Sequence, residues 1–113
     1  MLTINKEFRK GILFVRLLGV LNKDTVNKLY DEVTILVRDM KINNVVFNIE
    51  ELDIIDIYGI NEILLNYKLC KQNNGISMLC GVNSNIKEII DNSPIRFIAK
   101  INNELKALDL VKI

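Results

Sequence analysis

The chain has 113 residues, one domain's length; half are hydrophobic and 26% are charged, a balance that excludes a disordered segment. Fifteen basic side chains face fourteen acidic ones, so no basic excess marks nucleic acid or a membrane surface as the partner. The absence of histidine removes histidine triads and His-metal sites, and two cysteines are too few for a zinc set or a disulfide framework.

Leu2, Ile4 and Phe8 fall on even positions and predict a first strand. Arg9-Lys10-Gly11 reads as a turn, with Gly11 able to take positive φ. Ile12 to Leu18, apolar apart from Arg16, predicts a central strand that Gly19 ends. Asn22 or Asp24 can cap the first helix. Val26, Leu29, Tyr30, Val33, Leu36, Val37 and Met40 recur at steps of three and four, predicting an amphipathic helix over Lys23–Met40 whose charged face meets water. Val45 to Ile49 is a second buried strand. Glu50 to Asp56 reads as an acidic loop with apolar anchors, and Asp56 as the cap of a helix over Ile57–Gln72. That helix presents Ile60, Ile63, Leu64, Tyr67 and Cys70 inward, and Gly75 suits the left-handed position that closes it. Ile76 to Cys80 is a third core strand. Ser84 or Asn85 caps a short helix carrying Ile86, Ile89 and Ile90, which Pro94 stops. Ile95 to Ile101 alternates imperfectly, as an edge strand would. Asn103 caps a last helix with Leu105, Leu108 and Val111 inward.

Core strands that alternate with helices imply right-handed crossovers onto a parallel sheet, with one antiparallel hairpin at the start. The expected fold is therefore a single α/β domain over 1–113, a mixed, mostly parallel sheet with about four helices. No apolar run reaches the length of a membrane span or a signal-peptide core, which points to a cytoplasmic protein without direct membrane insertion. Cys70 and Cys80 fall on an inner helix face and a core strand, as inert buried thiols do. Glu50, Glu51, Asp53 and Asp56 would have to converge to hold a metal, whereas four carboxylates on one loop more often point apart into water. No glycine-rich phosphate loop is present, and no metal, cofactor or catalytic residue is expected.

The segment Val46-Phe47-Asn48-Ile49-Glu50-Glu51-Leu52-Asp53-Ile54-Ile55-Asp56-Ile57-Tyr58-Gly59-Ile60 resembles the central motif of STAS domains, most closely that of small bacterial anti-sigma factor antagonists. In those proteins a hydrophobic strand leads through an acidic loop into Asp-Ser-Ser/Thr-Gly at a helix start. Leu18-Gly19-Val20-Leu21-Asn22, Tyr67-Lys68 with Asn74-Gly75, and Cys80-Gly81-Val82-Asn83-Ser84-Asn85-Ile86 resemble three further family segments.

The resemblance implies a non-enzymatic regulator that binds a serine-kinase anti-sigma factor or related switch protein. Family members are switched off by phosphorylation of a serine at the helix start. Here Asp56 and Gly59 stand, but Ile57 and Tyr58 fill the two hydroxyl positions, and Tyr58 aligns with the phosphorylated serine. The usual switch is then missing. The implied partner-binding residues are Leu21, Asn22, Asp56, Ile57, Tyr58, Gly59, Asn61 and Ser84. Ile57 and Tyr58 are read as an exposed anchor rather than local packing, and Gly59 as serving the partner's approach rather than the fold's. The family also implies a second role, a scaffolding or accessory subunit of a signalling assembly or membrane transporter. The expected state is a monomer or weak homo-oligomer.

Overall fold

Lys10 and Gly11 take φ of 51° and 80°, which closes a two-residue hairpin between β1 (Leu2–Arg9) and β2 (Ile12–Leu21). Two successive positive φ values match the twist of antiparallel strands. The computed structural model that shows this describes residues 1–111. β2 is the spine of the sheet. Leu13, Val15 and Leu17 face one layer, while Ile12 and Phe14 face the other.

Two strands share the far edge of β2. β3 (Asn44–Asn48) runs parallel to Leu13–Arg16, and β4 (Leu52–Ile55) runs parallel to Gly19–Leu21. β5 (Ile76–Cys80) pairs with β3, and β6 (Lys100–Ile101) with β5, giving the order β1-β2-β3-β5-β6 with β4 beside β2. The expected acidic loop therefore contains a strand. Its ends, Leu52 and Ile55, are buried, and this tertiary pairing overrides the poor strand propensity of Asp53.

The helix expected over Lys23–Met40 forms as α1 (Val26–Leu29), a π-helical segment (Tyr30–Thr34) and α2 (Ile35–Asp39) in unbroken succession. Asn22 acts ahead of it. Its Oδ1 accepts from the backbone N–H groups of Asp24 (2.9 Å) and Thr25 (3.2 Å), while Thr25 Oγ1 accepts from the Asn22 N–H at 2.9 Å. This reciprocal arrangement holds the turn and delays the helix to Val26. Leu29, Val33 and Val37 are buried, but Met40 lies past the helix end and is exposed.

Helix α3 spans Ile57–Gln72, with Ile60, Ile63 and Cys70 buried as expected and Leu64 and Tyr67 packed beside them. After it, Asn74 and not Gly75 takes the left-handed conformation, with φ 65°. Gly75 is needed for space, because a Cβ there would collide with the Asn43 carbonyl. Helix α4 (Lys87–Asp91) has no side-chain cap, so neither Ser84 nor Asn85 plays that part. The expected edge strand shrinks to Lys100–Ile101. Ile95 and Ile98, three apart, are both buried by turns that follow Ser93, a spacing that alternation cannot describe.

Helix α5 (Glu104–Leu110) is capped by Asn103, whose Oδ1 accepts from Lys106 N–H at 3.2 Å. Among the described residues it is the helix that covers the second face. Ala107 is buried there with Ile12, Phe14, Val46, Met78 and Cys80, and Leu108 and Val111 pack at the margin. Leu105, expected inward, is exposed because Ala107 holds the inward position. Among the described residues, no helix is long and apolar enough to cross a membrane.

Candidate functional site

Asp56 organises the entrance of α3. Its backbone is extended, and its Oδ1 accepts from the Gly59 N–H at 3.1 Å, a helix cap of the expected kind. Its Oδ2 accepts from the Lys23 N–H at 3.0 Å, and its own N–H donates to the Leu21 carbonyl at 3.2 Å. One carboxylate thus joins the Asn22–Asp24 turn to the first turn of α3. Two segments distant in sequence become one continuous surface.

Ile57 and Tyr58 stand on that surface with 52% and 55% of their area exposed. About half of each side chain is free to meet a partner. Asn61 is exposed one turn further along α3, close to both by helical spacing. Asn22 is half-buried, its side chain engaged in the turn ahead of α1.

Two expected members leave the surface. Leu21 is fully buried, so its side chain serves the core and only its carbonyl serves the site. Gly59 is also buried, and a Cβ there would lie 2.6 Å from Leu21 Cγ and 3.0 Å from the Leu21 carbonyl oxygen. The fold therefore requires this glycine, which corrects the reading that assigned it to a partner. Ser84 is exposed, but the hollow it lines is shared with Lys87, Glu88, Asp91 and Asn92 and contains no α3 residue.

Two further residues shape this end of the molecule. Ile54 is 53% exposed beside Ile57 in the chain's approach to α3. Pairing skips from Gly19–Leu52 to Val20–Ile54, so Asp53 is an extra residue in β4, and the irregularity turns Ile54 outward. Asn83 is the other. Its amide donates to the carbonyls of Ile49 (3.2 Å), Glu50 (3.0 Å) and Leu52 (2.8 Å), pinning the β3–β4 turn. Its Oδ1 accepts from Asn85 N–H at 2.8 Å, an asparagine turn within the Cys80–Ile86 segment.

Glu50, Glu51 and Asp53 are exposed around this end of the sheet. Asp56 spends both oxygens on backbone donors. The thiols lie elsewhere: Cys70 is buried on the inner face of α3, and burial pushes its pKa up to about 12. Cys80 is also raised, chiefly by burial and further by Glu104 and Glu50.

The molecule thus presents an apolar–acidic surface at the entrance of α3, placed there by β4 beside β2. Residues 3–108 match the STAS domain family. The chain belongs to the STAS domain family. It is 31% identical over 108 residues to the anti-sigma F factor antagonist of Paenibacillus polymyxa, covering 95% of this chain and 92% of that one. Its fold is that of solved anti-sigma factor antagonists. The unphosphorylated form of SpoIIAA superposes with a TM-score of 0.76 at 15% identity, over 96% of both chains. An antagonist from Mycobacterium paratuberculosis gives 0.83 at 15% identity, over 98% of this STAS chain and 94% of that protein.

Proposed function

We propose that this STAS domain is a non-enzymatic, anti-sigma factor antagonist-like regulator that acts in the cytoplasm. It would dock the entrance of α3 and the Asn22–Asp24 turn onto a serine-kinase anti-sigma factor. The observation that carries this reading is the exposed Ile57–Tyr58 pair on a helix entrance that Asp56 locks to the neighbouring turn. Large, half-exposed aromatic and aliphatic side chains on a rigid element are what dominates binding energy at protein interfaces. The relative from Paenibacillus polymyxa, similar over nearly its whole length, supports the partner class.

The same pair argues against the usual switch. A phenol oxygen lies several ångströms beyond the position of a serine oxygen, on a rigid ring. A kinase site shaped for a short side chain cannot place it in line with the γ-phosphate, and phosphoryl transfer depends on that placement. The proposed complex therefore persists in the presence of ATP.

The test mixes the purified chain with a serine-kinase anti-sigma factor and Mg-ATP, then follows complex formation by calorimetry and the chain by intact mass. A stable complex and an unmodified chain are expected. Tyr58→Ala should weaken binding by about 1 kcal/mol or more, on the order of fivefold. A phosphate on the chain would refute the missing switch, and an unchanged affinity would remove Tyr58 from the interface.

A further inference from the structure

Two exposed apolar patches lie at opposite ends of the parallel strands. Ile54, Ile57 and Tyr58 stand at the carboxyl ends. At the amino ends, Phe8 and Met40 are 63% and 68% exposed and flank a groove of about 280 Å³ formed with Leu13, Leu36 and Ile42.

The charges around the patches are opposite. Asp24, Glu50, Glu51 and Asp53 are exposed in the segments that carry or adjoin the first, with Lys23 among them. Lys10 in the hairpin turn, Lys41 next to Met40, and Lys71 in the last turn of α3 are exposed in the segments that adjoin the second. That helix end is fixed to the groove by Asn73, whose amide donates to the Ile42 carbonyl at 2.8 Å. Of the acids on this side, Asp39 is ion-paired with Arg38 at 2.8 Å, and Glu32 lies four residues before Leu36 with the Lys6 ammonium donating to its backbone carbonyl at 3.2 Å; Glu7 pairs with Arg16 on the other face of β1. Helix dipoles account for carboxylates near the start of α3 and lysines near helix ends. They do not account for the apolar side chains between those charges: of the nine large apolar residues more than half exposed among the described residues, five stand at these two poles.

We propose that the protein associates head to tail with itself, the Ile54–Ile57–Tyr58 pole of one copy seated on the Phe8–Met40 groove of the next. The groove fits an apolar surface with an acidic rim, and the opposite end of this same chain is such a surface. The contact joins unlike surfaces, so every open assembly keeps one free pole at each end. A copy held by its head also has Tyr58 covered, which makes self-association a competitor of any partner that docks there. The proposal rests on the two surfaces and not on the partner's identity.

Sedimentation velocity over a wide concentration range tests it. The average mass should rise with concentration in low salt, and the association should weaken by about tenfold or more in high salt, because the rims attract electrostatically. Phe8→Glu with Met40→Glu blocks the tail, and Ile57→Lys with Tyr58→Lys blocks the head; circular dichroism establishes that both variants fold. Each alone should stay monomeric. Mixed in equal amounts, they should form a dimer and nothing larger, because one retains its head and the other its tail. A wild-type chain that stays monomeric, a mixture that stays monomeric, or a dimer that survives the tail block would overturn the proposal. The tail-blocked variant keeps Tyr58 and should bind a serine-kinase anti-sigma factor at least as tightly as the wild type, since no tail competes for its head, so failure of self-association and failure of the partner reading are separate results.

Discussion

Gly59 occupies the first turn of α3, where its helix propensity is about 1 kcal/mol worse than alanine's. Propensity alone therefore expects Gly59→Ala to stabilise the protein. Packing gives the opposite sign. The added methyl would sit 2.6 Å and 2.9 Å from two Leu21 carbons and 3.0 Å from the Leu21 carbonyl oxygen. The side chain is fully buried, and the carbonyl is held by the Asp56 N–H, so neither yields cheaply. Overpacking costs about 1–3 kcal/mol, which outweighs the propensity gain. Urea denaturation of Gly59→Ala should give a lower midpoint with an unchanged slope. A higher midpoint would mean that Leu21 moves aside. The pairing also shows what a sequence can say about one residue. Asp56 was legible as a cap because its partner, the Gly59 N–H, is local. The need for Gly59 was not, because the obstructing leucine is remote in sequence and neighbouring only in space.

Helix α5 is held to the sheet by a polar clamp as well as by its apolar face. The Arg16 guanidinium donates to both carboxylate oxygens of Glu104, at 2.8 Å and 2.7 Å, and the Asn48 amide donates to Glu104 at 2.8 Å. The Arg16 hydrogen bonds hold the Glu104 carboxyl below its usual range, against partial burial, with Asn48 adding to the effect. A depressed carboxyl stabilises the folded state fully above its ordinary pKa of about 4.3, and the stabilisation is lost as pH falls through the lowered value. Acid should therefore loosen α5 selectively. Amide exchange at Ala107–Leu110, corrected for the intrinsic pH dependence, should lose protection as pH drops below about 4.3, and Glu104→Gln should abolish that change. A pH response that persists in the glutamine variant would place its source elsewhere.

At the level of elements, the strand–helix alternation was legible because periods of 2 and 3.6 are local properties. The start of α3 followed from Asp56 and its end from Gly75, although Asn74 takes the left-handed conformation there. β4 was missed because its four residues form a strand only when β2 is already there to pair with. The π-helical segment was missed for a related reason. Thr34 turns inward to meet Asn66, whose amide donates to Thr34 Oγ1 at 2.9 Å, and neither polar residue marks itself as core.

Across the whole molecule, the two layers are unequal. Among the described residues, twenty-one buried residues join the cluster beneath the helices on one face, and six join the cluster beneath α5 on the other. Each cluster contains one thiol: Cys70 lies in the larger and Cys80 in the smaller. Burial raises both thiols, so in the folded state neither supplies much thiolate near neutral pH, and labelling must wait for opening. Local stability follows the apolar surface that an opening exposes, and releasing α5 uncovers far less than separating α3 from the sheet. In urea below the unfolding midpoint, a water-soluble maleimide should therefore modify Cys80 before Cys70, with peptide mapping to assign the sites. At the midpoint the two rates should converge, because global unfolding then exposes both. Equal rates at every urea concentration would show that α5 and the main layer open as one cooperative unit, and would rule out an independently released C-terminal helix.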